Sequence, residues 1–188
     1  LPVAALFVGC ADTAHLLGVT HQIIGQPWTG GKQFQYAGSI GPLPLPNDTH
    51  LQVQQVGEFL ASEFGLRGLY GVDGILNTEG FWTVEVNPRY TASVEIIERA
   101  AGESIIPRHV AVFAGEQAIG PLLPPNSPPK SCHGKAIVFA DVRARIAEDF
   151  AKLVTQMEFD GDESSISDIP RQGAVISKGH PICTVFAS

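Results

Sequence analysis

The stretch "GVDGILNTEGFWTVEVNPR", Gly71 to Arg89, decides the fold, because it sets two acids inside a segment with the composition of buried β-strand. Asp73 and Glu85 both have apolar residues or glycine on either side. A lone carboxylate is costly to bury, so something must compensate each charge. The apolar residues on both sides of "NTEG" predict two β-strands joined by a tight turn.

The length of the turn sets which side chains share a face of this hairpin. A three-residue loop at Thr78–Gly80 is favoured, because Gly80 accepts the left-handed backbone that ends such a loop. Asp73 then lies directly opposite Glu85, and Asn87 falls on the same face because side chains alternate along a strand. A two-residue loop would shift the register by one and separate the acids. The preferred register collects apolar side chains on the other face, namely Val72, Leu76, Trp82, Val84 and Val86.

Two carboxylates that face each other across a strand pair repel, so they either raise one pKa or hold a cation. Asp73, Glu85 and the carbonyl of Asn87 are hard oxygen ligands, suited to Mg²⁺ or Mn²⁺ and poorly suited to zinc. Mg²⁺ usually completes its shell with water and substrate phosphates. The residues therefore suggest a metal that carries a nucleotide. The alternative is that both acids are solvated on an open sheet face.

The rest of the chain predicts an α+β fold. Thr49 and Gln52 form a capping-box pattern that begins a helix, and Gly65 ends it. Strands are predicted over residues 1–9 and 16–24, and helices over 94–102 and 105–115. The segment Gly120–Pro129 contains five prolines and has the composition of a linker. The predicted organisation is one domain over 1–119, a proline-rich linker over 120–130 and a small β-rich piece over 131–188.

Composition narrows the classes of partner. The 188 residues carry a net charge of −7, which favours neither nucleic acid nor an anionic membrane as a partner. Three isolated cysteines without CxxC spacing indicate reduced thiols, so we expect a cytoplasmic protein. The sequence leaves homo-oligomerisation open. The first residues, "LPVAALFVG", already belong to a strand-like run and lack Met, so we expect residues upstream of Leu1 in the natural protein.

The stretch "GVDGIL…GFWTVEVNPRYTASVEIIERAAG" resembles the metal-binding signature of the ATP-grasp superfamily, in which an acid on one strand is followed by Glu-x-Asn on the next. The part "EVNPR…S…AAG" resembles the carbamoyl-phosphate synthetase and carboxylate–amine ligase branches. The resemblance implies the C-terminal subdomain of that fold, an antiparallel sheet with helices packed on it. It implies that Asp73, Glu85 and Asn87 hold Mg²⁺ or Mn²⁺ against ATP, and that Arg89 faces an acyl phosphate or a carboxylate.

The implied activity is an ATP- and Mg-dependent ligase that activates a small-molecule carboxylate for attack by an amine or similar nucleophile. No lysine has the strand context of the family's phosphate-clamping lysines, so we expect this chain to carry the metal-binding half and to be inactive alone. Lys32, in "TGGKQ", is the candidate for phosphate or substrate contact. The alternatives are a non-catalytic ATP-grasp-like binding module and an enzyme of the carboxylase or carbamoyl-phosphate type that activates bicarbonate.

Overall fold

The fold is α+β, as predicted. A computed structural model describes residues 1–115, 122, 131–150, 152, 154 and 165–188. The described chain divides into two compact units. Unit 1 comprises Leu1–His21 and Gly41–Cys132, and unit 2 comprises Gln22–Ile40 and His133–Ser188. The predicted linker over 120–130 lies outside the described residues except for Leu122, and the three-part division stays a prediction.

The described residues form ten strands and three α-helices. In chain order, the strands are β1 Pro2–Cys10, β2 Thr13–Ile24, β3 Tyr36–Gly41, β4 Gly68–Asn77, β5 Gly80–Asn87, β6 His133–Phe139, β7 Ala144–Arg145, β8 Ser165–Ser167, β9 Val175–Ile176 and β10 Pro181–Ala187. The helices are α1 Asn47–Phe64, α2 Val94–Ala101 and α3 Ile106–Phe113. Within that part of the chain, no helix is long and apolar enough to cross a bilayer.

Unit 1 is built on an antiparallel sheet in the order β5-β4-β1-β2, with β5 at the edge. Helix α1 covers one face, where its Val53 and Ala61 pack with Phe7, Tyr70 and other side chains of the sheet. The α1 backbone approaches closely enough for the Tyr70 hydroxyl to donate a hydrogen bond to the carbonyl of Gly57 at 2.7 Å. Helices α2 and α3 pack against the other face around a second core cluster, namely Leu6, Val8, Leu17, Leu69, Val94, Ile97, Ile105 and Val112.

Helix α1 begins two residues earlier than predicted, and its capping box is absent. The residue before the helix is Pro46, whose ψ of 148° is extended, and no side chain caps the first turn. The backbone N–H of His50 already donates to the carbonyl of Pro46 at 2.8 Å, so Thr49 lies inside the helix. The predicted end is confirmed, because Gly65 takes the left-handed conformation with φ of 64°.

Helices α2 and α3 occupy the predicted segments. Ser93 precedes α2 but makes no side-chain capping bond, and Gly102 ends the helix in the left-handed conformation. Pro107 lies in the first turn of α3, where the missing N–H costs nothing. The two helices bring the chain that follows β5 back against the sheet, and that chain carries Arg89.

Unit 2 contains a sheet in the order β3-β6-β10-β8 and a ribbon formed by β7 and β9. Strand β10 pairs antiparallel with both β6 and β8. The turn predicted at Lys178–Gly179 is confirmed between β9 and β10, with Gly179 at φ of 78°. Strand β8 corrects the prediction of loop across the acidic segment 158–168, of which residues 158–164 lie outside the described residues.

Candidate functional site

The hairpin of β4 and β5 turns through two residues, so the predicted three-residue loop is wrong. Asn77 pairs with Gly80, and only Thr78 and Glu79 lie between them. The side-chain carbonyl of Asn77 accepts a hydrogen bond from the backbone N–H of Glu79 at 2.8 Å, which closes the turn locally. A regular ladder from this turn would have separated Asp73 from Glu85 onto opposite faces.

A β-bulge restores the predicted pairing of the two acids. Gly74 pairs with Thr83, whereas Asp73 pairs with Glu85, so Val84 has no cross-strand partner. One extra residue on one strand changes the alternation of faces once, and this compensates for the shorter turn. Asp73 and Glu85 are therefore direct cross-strand neighbours, as predicted. Gly71 pairs with Asn87 two positions along, which puts Asn87 on the same face.

The apolar face of the hairpin differs from the predicted one near the turn. Phe81, which pairs with Leu76, is 4% exposed and belongs to the core under α1. Trp82 and Val84, predicted on that face, are 55% and 68% exposed. The two-residue turn moves Trp82 to the face of the acids, and Val84 is the bulged residue. Val72 keeps its predicted place in the core.

Helix α1 holds the edge strand at the position where the new register begins. The side chain of Gln52 accepts a hydrogen bond from the backbone N–H of Phe81 at 2.8 Å. Its amide nitrogen donates to the carbonyl of the same residue at 3.2 Å. Since β5 is an edge strand, these two bonds satisfy backbone groups that the sheet leaves unpaired. Sequence reasoning assigned Gln52 to a capping box, so this contact was missed.

A chain of hydrogen bonds joins three of the predicted site residues. The Asn87 side-chain nitrogen donates to the Asp73 carboxylate at 3.1 Å. The Arg89 guanidinium donates to the Asn87 side-chain oxygen at 3.2 Å and to the carbonyl of Tyr90 at 3.3 Å. Asn87 is buried and Asp73 half-buried, so their contact is partly shielded from water. The structure thus brings Asp73, Asn87 and Arg89 together.

Glu85 and Arg89 are exposed charged residues that form no ion pair with a described residue. Glu85 is exposed and makes no hydrogen bond or ion pair with any described residue. Arg89 is exposed and forms no ion pair with a described carboxylate, in contrast to Arg108, which pairs with Glu103 at 2.9 Å. A structural ion pair within the described chain therefore does not account for Arg89.

Tyr90 and Glu98 anchor the segment that carries Arg89, and sequence reasoning missed both. The Tyr90 hydroxyl donates to one carboxylate oxygen of Glu98 at 2.9 Å. The other oxygen accepts from the Ser104 hydroxyl at 3.0 Å and from the backbone N–H of Ile105 at 2.7 Å. Burial, followed by the hydrogen bond to Glu98 and the charges of Glu98 and Glu95, raises the pKa of Tyr90, so the hydroxyl remains a hydrogen-bond donor to a higher pH than in an ordinary tyrosine. Glu98 thereby ties the segment after β5 to the turn between α2 and α3.

A buried hydroxyl without a hydrogen-bond partner lies beside this network. The side-chain oxygen of Thr91 has no partner among the described residues. Gly71 lies next to it, because a side chain at position 71 would contact the methyl group of Thr91 at 2.8 Å. The absence of a side chain at Gly71, directly across from Asn87, therefore leaves space for Thr91 on the face of the acids.

The donor set fits a hard divalent cation. Asp73 and Glu85 are cross-strand neighbours on one face, and the Asn87 amide contacts Asp73 directly. Two carboxylates and an amide oxygen suit Mg²⁺ or Mn²⁺ and leave positions for water and phosphate oxygens. Among the described residues, no three His, Cys, Asp or Glu side chains converge on a point that would hold a metal. The set has two acids and relies on Asn87 for a third protein ligand, so the metal assignment stays a prediction.

Lys32 belongs to unit 2, whereas the other predicted site residues belong to unit 1. Its backbone N–H donates to the side chain of Gln35 at 2.8 Å, which orders the loop between β2 and β3. Its side chain passes Gly179, and its ammonium group makes no hydrogen bond or ion pair with a described residue. Its role in phosphate contact stays a prediction.

Comparisons with known proteins identify the family. Residues 1–93 match the family model of an ATP-grasp domain. The chain therefore belongs to the ATP-grasp superfamily, and the resemblance that its sequence carries is confirmed.

Two curated relatives match the chain over part of their length. The uncharacterised protein MJ0776 of Methanocaldococcus jannaschii is 31% identical over 153 residues, which cover 81% of this chain and 33% of that protein. The carbamoyl phosphate synthase large chain of Pseudomonas aeruginosa is 30% identical over 107 residues, which cover 57% of this chain and 10% of that protein. The chain thus spans a third or less of the length of these two relatives.

Solved structures share the fold over almost the whole chain. L-amino acid ligase from Bacillus licheniformis superposes with a TM-score of 0.72 at 14% identity, over 99% of this chain and 46% of that one. The biotin carboxylase domain of Hydrogenobacter thermophilus 2-oxoglutarate carboxylase, in complex with MgADP, ADP and bicarbonate, superposes with a TM-score of 0.66 at 13% identity. That match covers 99% of this chain and 41% of the other. These neighbours establish the ATP-grasp fold.

Proposed function

We propose that the full protein is an ATP- and Mg²⁺-dependent ligase that activates a small-molecule carboxylate for attack by an amine or similar nucleophile. This chain supplies the metal-binding half of the site. The observation that carries the proposal is the convergence of Asp73, Glu85 and Asn87 on one face of a hairpin in an ATP-grasp domain, with Arg89 next to them.

The proposed reaction has two steps, phosphorylation of the carboxylate and displacement of the phosphate by the nucleophile. The carboxylate oxygen of the substrate attacks the γ-phosphorus of ATP, the bond to the β-phosphate oxygen breaks, and ADP leaves. The nucleophile then attacks the acyl carbon, loses a proton and displaces inorganic phosphate. The bound metal would supply charge neutralisation on the phosphates. The protein contributes position and charge, so this reaction requires no side-chain nucleophile.

Each site residue has a distinct proposed role. Asp73, Glu85 and the Asn87 side-chain oxygen would hold the metal. Arg89 would bind the carboxylate or the acyl phosphate, because its planar guanidinium matches two oxygens at once and stays charged. Lys32 would contact phosphate or substrate through its ammonium group, which has no partner among the described residues.

Metal binding by the full gene product tests the site directly. We expect Asp73→Ala to weaken Mn²⁺ binding by about 100-fold, since even residues behind the ligands of a metal site cost 10- to 100-fold in affinity. Electron paramagnetic resonance of free Mn²⁺ measures the affinity. Glu79→Ala is the matched control, because Glu79 is an exposed acid on the turn of the same hairpin. Equal Mn²⁺ binding by all three proteins would refute the metal assignment.

Substrate-dependent release of ADP from Mg-ATP tests the reaction. We expect release to require an organic carboxylate and a nucleophile, and to disappear in Asp73→Ala. Release with bicarbonate alone would instead support the bicarbonate-activating alternative, which one structural neighbour favours because its complex contains bicarbonate. Metal and nucleotide binding without turnover on any acid would support the non-catalytic binding module.

A further inference from the structure

The Asn87 carboxamide bridges the proposed metal site and the proposed substrate arginine. Its nitrogen lies 3.1 Å from a carboxylate oxygen of Asp73, and its oxygen lies 3.2 Å from the guanidinium of Arg89. The residue is buried, with 7% of its surface exposed, so water competes poorly for either contact. Asn87 therefore holds Asp73 and Arg89 together through a single planar group.

The chemistry of the two neighbours dictates the orientation of this amide. An ionised carboxylate only accepts hydrogen bonds, and a guanidinium only donates them. The amide nitrogen must therefore face Asp73 and the amide oxygen must face Arg89. The reversed orientation would place oxygen against oxygen and N–H against N–H, which leaves both contacts unmade.

This orientation of the amide conflicts with the role of a metal ligand. A cation held by Asp73 and Glu85 requires the oxygen of Asn87, but the nitrogen of that amide faces Asp73. We propose that Asn87 is a two-position relay, whose amide turns when the metal binds and thereby releases Arg89 for the substrate carboxylate. This inference rests on the proposed function, since it assumes that Asp73 and Glu85 hold a metal.

The remaining contacts of Arg89 keep it in place after the release. Once the amide oxygen has turned away, Arg89 still donates a hydrogen bond to the backbone carbonyl of Tyr90. The hydroxyl of Tyr90 in turn donates to Glu98, which holds Tyr90 in place. The donors that faced Asn87 are then open to an incoming anion. The consequence is an order of binding, in which the metal precedes the carboxylate, because the acid meets a fully available guanidinium only in the metal-bound state.

Chemical modification of Arg89 measures the release without any substrate. Phenylglyoxal reacts with free guanidinium groups, and mass spectrometry of peptides from the full gene product reports the rate at each arginine. We expect millimolar MnCl₂ to raise the rate at Arg89 by about fivefold or more, because a hydrogen bond to a charged group contributes at least that factor to an equilibrium. The exposed Arg67 is the internal control, and its rate stays unchanged.

Two substitutions at Asn87 separate the relay from simple metal binding. Asn87→Ala removes the contact, so Arg89 reacts rapidly with or without Mn²⁺. Asn87→Asp keeps an oxygen on Arg89 in both states while still offering a metal ligand, so Arg89 reacts slowly throughout. Thermal unfolding followed by circular dichroism checks that both variants are folded.

The outcomes distinguish the relay from the function on which it rests. If paramagnetic resonance shows that Mn²⁺ binds the wild type while the rate at Arg89 stays the same or falls, the relay is wrong and the metal site stands. If Mn²⁺ binds the wild type and Asp73→Ala equally weakly, both the metal site and the relay are wrong. A rate that rises with Mn²⁺ in the wild type and is insensitive to Mn²⁺ in both variants supports the relay.

Discussion

Strands β4 and β5 each contribute one carboxylate to the proposed site, yet they differ in almost every other respect. β4 lies between two neighbours and is buried from Gly68 to Val72, whereas β5 is an edge strand exposed from Trp82 to Glu85. Asp73 is half-buried and accepts a hydrogen bond from Asn87, whereas Glu85 makes no hydrogen bond or ion pair with a described residue. One acid is preorganised, and the other is free to adjust.

The difference shows how a sheet edge can serve a binding site. On the central strand β4, Asp73 is half-buried and its carboxylate accepts a hydrogen bond from Asn87, which holds it in position. An edge strand tolerates a bulge, because only one of its sides is hydrogen-bonded within the sheet. In this hairpin the bulged residue Val84 directly precedes Glu85. The acid that no hydrogen bond holds therefore lies on the strand whose backbone departs from the regular ladder.

The largest expected effect tests the register of β5 at neighbouring aromatic residues. Phe81→Ala should lower the free energy of unfolding by about 3–5 kcal/mol, because it removes a ring from the core under α1. Trp82→Ala should change it by less than about 1 kcal/mol, since that ring is 55% exposed. Urea unfolding of the full gene product measures both. Comparable losses would contradict the observed register.

Deletions in β5 test the bulge itself. Deleting Val84 removes the bulged residue and leaves Glu85 paired with Asp73, so we expect Mn²⁺ affinity to stay within about threefold of the wild type. Deleting Thr83 and Val84 together moves Glu85 opposite Gly74 and onto the face of α1. That double deletion should weaken Mn²⁺ binding by about 100-fold, as expected for Asp73→Ala, because it removes one of the two proposed carboxylate ligands from the site. Loss of binding in the single deletion would show that Val84 has a role beyond spacing.

The smallest expected effect concerns the segment that follows β5. Tyr90→Phe should lower stability by about 1 kcal/mol at neutral pH, because it removes the hydrogen bond to Glu98. The pKa of Tyr90 is raised in the folded protein, so this contribution is complete below the ordinary tyrosine pKa and is lost as the pH rises through the raised value. The difference between Tyr90→Phe and the wild type should therefore shrink in strongly alkaline buffer. Urea unfolding at a series of pH values checks this trend.

Glu98→Gln provides the control for that measurement. A glutamine at position 98 can still accept the hydrogen bond from Tyr90, but it lacks the charge that contributes to the raised pKa. We expect the alkaline loss of stability to begin at the same pH as in the wild type, but to be smaller and to be complete at a lower pH, because the folded pKa of Tyr90 is raised less. An unchanged alkaline profile in both variants would argue that Tyr90 and Glu98 do not anchor the segment.

Much of the fold and the placement of Asp73, Glu85 and Asn87 on one face could be predicted because they depend on local patterns. Alternation along β4 and β5 placed Asp73 opposite Glu85, and Gly65 and Gly102 marked the ends of α1 and α2. The pairing prediction was right although its loop was wrong, since an odd loop without a bulge and an even loop with one give the same faces.

The errors have physical causes that the local sequence does not encode. Phe81 and Trp82 are adjacent aromatic residues, so hydrophobicity alone cannot decide which one enters the core. The bond from Gln52 to Phe81 and the bond from Tyr90 to Glu98 join elements that meet only in the folded chain. The start of α1 depended on Pro46, whose extended backbone sets the first turn more firmly than the capping pattern at Thr49.

The compensation between turn and bulge has a consequence for tracing related hairpins. The distance in sequence from the acid on β4 to the Glu-x-Asn on β5 is the sum of two independent contributions, so a single insertion in one can be cancelled by a deletion in the other. A search template with one fixed gap between these motifs would therefore retain both kinds of hairpin, the longer loop without a bulge and the shorter turn with one. The spacing of the two motifs consequently does not identify the turn that joins them.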